Sequence, residues 1–402
     1  MTEYAPGAMS SATQRVYLHI GLPKTGTTSL QELLWHNQGT LTADGVSFPG
    51  HDLGAHHRAV ADVHPGRYGS WKEKRTPGSW DWLVEQARAF DGATLISSEL
   101  LAPASPEEAE RVVSSLSFAE VHIVCTVRDL ARQIPSVWQE NVKTRQSTSY
   151  PDLLAALRSA ELDHTARLFW DYQDLPRVLR TWGAGIPADR VHVVTVPPRG
   201  GRPDVLWERF AGLLGLDPAK YETDIPHYGN FSLGYPETEF LRRINASLPD
   251  RFPWLQYARR VKDDFAAHTL SARSGRGSIP LPKQDQDWVH DTAERHIAEV
   301  RGAGYDVVGD LEDLRPVAPR GDEPASADEL TPTEAEIGEI AMESVTDLLR
   351  HPAGSRRMMK RKPPQPAKAL RLRQFVMRMS DQYPQVMAAR RTYWRVRAKL
   401  GR

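Results

Sequence analysis

The chain has a single cysteine among its 402 residues and no long hydrophobic run. One thiol cannot form an internal disulfide, and its place in the apolar run VHIVCTV predicts that Cys125 is a buried core residue. No apolar stretch approaches the roughly 18 residues that a membrane span requires. The first fifteen residues, MTEYAPGAMSSATQR, also lack the apolar segment of a secretion signal. We therefore expect a soluble protein in a reducing compartment, by default the cytoplasm.

An excess of either charge is absent as well, because 51 Lys and Arg residues balance 51 Asp and Glu residues. The balance hides a division along the chain. Residues 351–402 contain about 15 Lys and Arg against one Asp, so the remainder of the chain is acidic. The excess of positive charge therefore lies in a basic tail, residues 351–402.

The basic tail mixes its cations with Leu, Met, Phe, Tyr and Trp. This pattern is typical of an amphipathic segment that lies on an anionic membrane surface. It is equally compatible with packing on the acidic part of the same chain or of a second copy, which would be self-association. No recognised nucleic-acid-binding module accompanies the tail, and we expect no specific nucleic acid partner.

Apolar runs bounded by turn signals alternate with helical stretches along the first half of the chain. The runs VYLHI, ATLISS, VHIVCTV and RVHVVTV predict strands. Strands separated by helices need right-handed crossovers, which favour a parallel sheet covered on both faces and hence the α/β class. Ser105 and Glu108 have the spacing of a capping box at the start of one of the helices.

The pattern changes in the second half of the chain. After Asp224 it becomes mainly helical, and from about Pro316 to Glu329 it turns to Pro, Ala, Asp and Glu, as in a linker. This organisation predicts an α/β domain with helical additions over residues 1–315, a linker with a short helix over 316–350, and a basic helical tail over 351–402.

A candidate anion-binding loop follows the first predicted strand. The stretch LHIGLPKTGTTSL places Gly21 and Gly26 between the apolar residues of that strand and the predicted helix TTSLQELLWHN. In such a turn, backbone N–H groups and the positive end of the helix dipole converge on one point, where Lys24 adds a full charge. The loop is neither a nucleotide triphosphate P-loop, which has its lysine after the second glycine, nor a dinucleotide fingerprint. Taken alone, it could still be an ordinary strand-to-helix turn.

A second candidate anion site follows the strand VHIVCTV. Arg128 stands at the carboxyl end of this strand, and Ser136 follows eight residues later on the next predicted helix. Ligands bind at this edge of an open parallel sheet. The two side chains meet only if Arg128 sits just before the helix and reaches along it, and a guanidinium and a hydroxyl could then share a second phosphate. The alternative is that Arg128 pairs with Asp129 and Ser136 lies on the surface.

Together, the two segments resemble the sulfotransferases that use 3′-phosphoadenosine-5′-phosphosulfate (PAPS). Their signature is a K-[TS]-G-T-T loop followed by an R-x₇-S element, and both occur here in the right order, each after a predicted strand. The resemblance implies a P-loop-like fold, PAPS as sulfuryl donor without a metal, and transfer to an acceptor oxygen or nitrogen. It assigns the 3′-phosphate to Arg128 and Ser136. It assigns the 5′-phosphosulfate to the loop residues Lys24, Thr25, Gly26, Thr27 and Thr28.

The chain departs from this family pattern at two places. Many eukaryotic cytosolic members have an aromatic residue after the threonine pair to stack on adenine, where this chain has Ser29. Their late R-K-G phosphate element has no clear counterpart either, and the turn Arg199-Gly200-Gly201 is the nearest candidate. We therefore count Ser29 with the cofactor loop by position, and the adenine contacts stay unassigned.

Transfer to a hydroxyl benefits from a base close to the sulfur. Glu99 ends the predicted strand ATLISSE, so it is expected at the same sheet edge as both anion sites. The family resemblance implies a glutamate in members that sulfate sugars and a histidine in those that act on phenols and alcohols. Our first choice is Glu99, with His56 and His57 as competing bases, and a structural role for Glu99 as a cap or ion-pair partner stays open. The nearby histidines show no tight metal-ligand pattern, and we expect no metal.

Two other functions compete with sulfuryl transfer to a carbohydrate or small metabolite. A nucleotide-dependent kinase would need a variant phosphate loop, and no magnesium-holding aspartate is evident after a strand. A binding module could keep a nucleotide-like fold without turnover and act through the basic tail. The acceptor itself cannot be read from the sequence, because acceptor contacts come from variable loops.

Overall fold

A computed structural model describes residues 14–68, 73–202, 204–225, 231–273, 279–317 and 324–350. The internal contacts divide the chain into the units Met1–Asp347 and Leu348–Arg402, and the site described below lies in the first. The predicted basic tail, residues 351–402, lies outside the described residues. The boundaries expected at 315/316 and 350/351 stay predictions.

The described strands are β1 (Arg15–His19), β2 (Val46–Ser47), β3 (Ala93–Ser97), β4 (Glu120–Val127), β5 (Val191–Thr195) and β6 (Asp306–Val308). The helices as far as the end of β5 are α1 (Thr27–His36), α2 (Gln38–Ala43), α3 (Ala55–Val63), α4 (Pro65–Tyr68), α5 (Ser79–Ala89), α6 (Pro106–Ser115), α7 (Leu130–Lys143), α8 (Tyr150–Arg158), α9 (His164–Gln173) and α10 (Leu175–Gly183). Those after it are α11 (Val205–Leu213), α12 (Tyr235–Ser247), α13 (Trp254–Tyr257), α14 (Ser271–Arg273), α15 (Lys283–Gly302), α16 (Ala327–Leu330) and α17 (Glu334–Arg350). A π-helical segment, Ala258–Leu270, joins α13 to α14.

The six strands form one sheet in the order β2-β3-β1-β4-β5-β6, and every neighbouring pair is parallel. The α/β class with a parallel sheet is thus confirmed. The chain leaves β1 towards one side of the sheet and leaves β4 towards the other. A crevice therefore opens between the carboxyl ends of β1 and β4, and such a switch point is where open parallel sheets bind ligands.

Helices cover both faces of the sheet, as the near-continuous apolar strands require. Alternate residues of β1 face opposite ways: Leu18 belongs to the core that includes Trp182 of α10, and Tyr17 belongs to the core that includes Phe210 of α11. Cys125 in β4 is fully buried, as the sequence predicts, and burial raises the pKa of its thiol far above the usual range.

A separate apolar core holds the helical additions together. It joins α7, α8, α12, α15 and the π-helical segment, and Trp138 of α7 is buried at its centre against Tyr150 and Tyr235. The helix α7 belongs to both parts, because it begins directly after β4 and runs into this second core. It therefore couples the sheet edge to the helical addition.

The predicted helix starts are confirmed where local chemistry specifies them. Ser105 and Glu108 form the expected capping box at the start of α6. The four predicted strands are present as β1, β3, β4 and β5, whereas the short strands β2 and β6 were not predicted. In the described part of the chain, each helix is too short or too polar to cross a lipid bilayer.

Candidate functional site

The loop between β1 and α1 has the backbone geometry of an anion cradle. Lys24 and Gly26 both adopt left-handed conformations, with φ angles of 69° and 90°. Helix α1 begins without a side-chain cap, and its first hydrogen bond runs from the Leu30 N–H to the Gly26 carbonyl. Over the described ranges, the N–H groups of Thr27, Thr28 and Ser29 donate no hydrogen bond. These free donors point to an anion, and the helix dipole adds to their effect.

Neighbouring residues fix the shape of the loop. A Cβ atom on Gly26 would lie 2.6 Å from Leu206 Cδ2, and the positive φ angle disfavours any other residue at this position. The Thr25 hydroxyl donates to the Leu22 carbonyl at 2.6 Å and lies 2.7 Å from the Thr126 hydroxyl. The Thr25 side chain therefore anchors the loop to β4 and is not free to bind a phosphate.

The structure brings Arg128 and Ser136 to the same loop. Arg128 lies between the end of β4 and the start of α7 and reaches along the helix, as the spacing requires. Its Nη1 lies 3.2 Å from the Lys24 carbonyl oxygen and 3.5 Å from Ser136 Oγ. Within the described chain, Asp129 forms its ion pair with Arg132 and not with Arg128: its carboxylate caps α7 by accepting from the Arg132 N–H at 3.0 Å and pairs with the Arg132 side chain.

The guanidinium groups at this edge are incompletely paired. Burial, with the nearby charges of Arg132 and Arg199, lowers the pKa of Arg128 to about 10. Arg128 Nε and Arg132 Nη2 are buried and have no hydrogen-bond partner within the described ranges. Buried donors of this kind normally have a partner, and an anion in the crevice would supply one.

Lys24 is held by a carboxylate that two other lysines share. Glu140 Oε2 lies 3.2 Å from Lys24 Nζ and 2.9 Å from Lys143 Nζ, and Glu140 Oε1 lies 3.0 Å from Lys262 Nζ. We call Lys24, Glu140, Lys143 and Lys262 the lysine cluster. Although burial acts in the opposite direction, the three ammonium charges hold the pKa of Glu140 far below its usual range. No sequence pattern indicated Lys262 or the central position of Glu140.

Glu99 follows β3 at the same sheet edge. Its Oε2 accepts a hydrogen bond from Gln31 Nε2 at 3.2 Å and lies 3.6 Å from His57 Nε2. Gln31 stands four residues after Thr27, so this contact places the Glu99 carboxylate beside the first turns of α1. Sequence reasoning placed Glu99 at this edge but did not pair it with His57.

The pair of Glu99 and His57 is strongly polarised. Burial alone would raise the pKa of Glu99, but His57 and the hydrogen bonds, including the one from Gln31, lower it to about 2. Burial opposes a charge on His57 too, yet the Glu99 carboxylate outweighs it and raises the pKa of His57. Glu99 is therefore ionised at neutral pH, and His57 holds a proton more readily than an ordinary histidine.

Both ring nitrogens of His56 contact the backbone. Its Nε2 lies 2.6 Å from the Pro49 carbonyl oxygen, and its Nδ1 accepts from the Ser97 N–H at 3.0 Å. The ring is buried, and burial lowers the pKa of His56 to about 4. The two ring nitrogens thus link Ser97 of β3 to Pro49. We therefore assign His56 no catalytic role.

Among the predicted cofactor residues, Arg128 contacts both the Lys24 carbonyl and Ser136, whereas the Thr25 side chain is already hydrogen-bonded within the protein. Thr27 is buried, Thr28 is exposed and Ser29 is half-buried, with their N–H groups at the head of α1. The described residues contain no group of three or more His, Cys, Asp or Glu side chains placed to hold a metal ion. Comparisons with models of protein families, with curated proteins and with solved structures find no match for this chain.

Proposed function

We propose that this protein is a sulfotransferase that moves a sulfuryl group from PAPS to a hydroxyl or amine of a carbohydrate or small-molecule acceptor. A single observation carries the proposal: Arg128, which lies beside Ser136, donates to the Lys24 carbonyl in the anion cradle, so the two cationic positions lie together at the β1/β4 switch point. PAPS has two separated anionic groups, and the crevice has two cationic positions. The position of the cradle directly after β1 also supports a P-loop-like fold.

The residues present fit such a donor. In this proposal, the N–H groups of Thr27, Thr28 and Ser29 bind the 5′-phosphosulfate, and Lys24 neutralises the charge that develops on the departing phosphate. Arg128, whose Nε lacks a partner among the described residues, binds the 3′-phosphate together with Ser136. Bound in this way, PAPS supplies an activated sulfuryl group whose bond to the phosphate breaks as the acceptor oxygen or nitrogen attacks the sulfur.

The acceptor proton goes to the pair of Glu99 and His57 in this mechanism. A base with a pKa near the working pH is the most effective, and His57 meets this condition better than Glu99 because its pKa is raised while that of Glu99 is about 2. Glu99 then orients His57 and stabilises the imidazolium that forms, as a carboxylate does for histidine in other transfer enzymes. The base assignment thus moves from Glu99 alone to the pair.

Calorimetric titration with 3′-phosphoadenosine-5′-phosphate (PAP) tests the proposal. We expect tight binding without metal, weaker binding of AMP, and no comparable binding of ATP with magnesium. Both Lys24→Ala and Arg128→Met should weaken PAP binding. Arg128→Met should nevertheless leave AMP binding unchanged, because Arg128 is assigned to the 3′-phosphate, which AMP lacks. Lys220→Met, at an exposed lysine paired with Asp44, is the matched control.

Each alternative outcome points to another function. Magnesium-dependent binding of ATP in preference to PAP would favour a kinase. Binding of neither nucleotide would favour a binding module without turnover. PAP binding that Arg128→Met leaves unchanged would contradict the assignment of the 3′-phosphate.

A further inference from the structure

Lys262 lies next to the proposed reaction site, but it is not among the residues that are assigned to the cofactor. It lies on the π-helical segment Ala258–Leu270 of the helical addition, and its Nζ contacts Glu140 Oε1 at 3.0 Å. Helices of the π type are rare and occur frequently at functional sites. The segment therefore brings a cation to the carboxylate that also holds Lys24.

The lysine cluster has more positive than negative charge. Lys24, Lys143 and Lys262 surround one carboxylate, Glu140, which leaves a formal charge of about +2 at neutral pH. Burial, with repulsion from Lys24 and Lys262, lowers the pKa of Lys143 to about 8 in spite of Glu140. Uncompensated charge that is partly removed from water is stabilised by an opposite charge. The lysine cluster can therefore bind an additional anion.

The three lysines of the cluster differ in their freedom to bind one. Lys143 is 3% exposed, its Nζ donates to the Phe231 carbonyl at 3.0 Å, and it lies 4.6 Å from the centre of the Phe231 ring. It is therefore a fixed counter-ion for Glu140. The side chains of Lys24 and Lys262 are 26% and 28% exposed, and both can reach a ligand.

Resting on the proposed function, we propose that Lys262 binds an anionic group of the acceptor, a carboxylate, sulfate or phosphate. Lys24 is assigned to the donor, whereas none of the residues assigned to the donor lies on the segment that carries Lys262. The ammonium groups of Lys24 and Lys262 touch the two oxygens of one carboxylate and so lie within about 8 Å of each other. We therefore propose that the acceptor carries a negative charge within about 8 Å of the hydroxyl that reacts.

Matched pairs of probes test this inference on the PAP-saturated full chain. The first pair is 4-nitrophenyl β-D-glucuronide and the corresponding glucoside, and the second is N-acetyltyrosine and its amide. Within each pair the hydroxyls are kept while the carboxylate is replaced by a neutral group. We expect the anionic member of at least one pair to bind about tenfold more tightly in calorimetry, the size of effect that one partly screened charge pair gives.

Variants at Lys262 decide whether this residue is responsible. With each variant compared at saturating PAP, because Glu140 links Lys262 to Lys24, Lys262→Met should remove the preference for the anionic probe, and Lys262→Arg should restore it. Lys220→Met, at an exposed lysine with one carboxylate partner, should keep it. Thermal unfolding of each variant checks that the fold is intact.

The outcomes separate this inference from the proposed function. Equal binding within both pairs, no binding of any probe, or a preference that Lys262→Met preserves would overturn the role of Lys262 while PAP binding stands. Failure of PAP to bind would overturn the proposed function instead. The probe pairs would then be titrated into the free protein, where the same comparison still tests whether Lys262 selects anions.

Discussion

Lys24 Nζ lies 3.2 Å from Glu140 Oε2, although the two residues are 116 positions apart in the chain. The lysine of the proposed reaction is therefore already paired before any ligand arrives. An anion in the cradle has to compete with Glu140 for Lys24. Glu140 can release Lys24 at a small cost, because Lys143 and Lys262 continue to neutralise it.

Glu140→Gln should separate the structural and ligand-binding effects of this arrangement. Without the carboxylate, the buried Lys143 ammonium loses its counter-ion and faces two other cations. We expect the free energy of unfolding to fall by about 3 kcal/mol, while PAP binds more tightly because Lys24 is released. Denaturant unfolding and calorimetry measure the two effects.

The matched control for this variant is Glu222→Gln, at an exposed carboxylate that pairs with His36 at 2.7 Å. It should cost less than about 1 kcal/mol, as exposed pairs do. Equal losses in the two variants would show that Glu140 is an ordinary surface acid.

Glu99→Gln should impair turnover and change its pH dependence. At neutral pH the Glu99 carboxylate raises the pKa of His57, so the variant lowers that pKa. Since the base is the unprotonated imidazole, the rising limb of the rate should move to lower pH, and kcat should fall about 100-fold. PAP affinity should not change. The measurement is kcat as a function of pH with an acceptor found by screening.

His36→Gln provides the control for this experiment, because His36 pairs with Glu222 away from the crevice. Its pH profile should match that of the wild type. An unchanged kcat and an unshifted limb in Glu99→Gln would refute the role of the pair, and loss of PAP binding would mean that Glu99 supports the cradle.

Gly26→Ala should destroy the cradle. The alanine would have to keep the positive φ angle of Gly26, and its Cβ would lie 2.6 Å from Leu206 Cδ2. We therefore expect a loss of about 2 kcal/mol in stability. PAP binding should fall beyond detection because the N–H groups of Thr27 and Thr28 are displaced. The control is Gly39→Ala in α2, where a Cβ meets nothing within 4 Å. There the change should be neutral or stabilising by about 0.5 kcal/mol. PAP binding retained in Gly26→Ala would contradict the proposed cradle.

Acid should destabilise the protein before its carboxylates titrate. Burial lowers the pKa of His19, His56 and His296 to about 4 each. As the pH falls below about 6.5, the unfolded chain takes up protons at these positions while the folded chain does not. The free energy of unfolding should therefore fall with pH. His57 acts in a different pH window because its pKa is raised in the folded protein. The stabilisation from this shift is fully present below about pH 6.5 and is lost as the pH rises through the pKa of His57 in the folded state.

His56→Gln tests this origin of the acid sensitivity. Between pH 6.0 and 4.5 the slope of the unfolding free energy against pH should decrease by about 1 kcal/mol per unit, since one histidine contributes a proton difference a little below one over this range. The slope is the informative quantity, since the loss of two hydrogen bonds also lowers stability at every pH. A slope equal to that of the wild type would show that His56 takes up its proton in the folded state as well.

The sequence predicted the sheet edge better than the helical addition. Strand ends and loop chemistry are local signals, so Gly26, Arg128 and Glu99 could be placed at one edge from their positions after apolar runs. The strands β2 and β6 have only two and three residues, too few for a periodic pattern.

Long-range contacts had no sequence signal. Lys262 meets Glu140 across 122 positions, and no residue pattern specifies a π-helical segment. The choice between His56 and His57 was likewise open, because neighbouring residues on a helix differ by about 100° in direction and only the packing of α3 decides which one faces Glu99.

The solitary cysteine of β4 has a practical consequence for spectroscopy. Cys125 is fully buried and its raised pKa keeps the thiol protonated, so reagents that attack thiolates find no target in the folded protein. The native chain therefore behaves as a cysteine-free background. A thiol introduced on the exposed face of the π-helical segment would be the sole reactive one, and a fluorophore attached there would test the proposed acceptor binding without any prior removal of native residues.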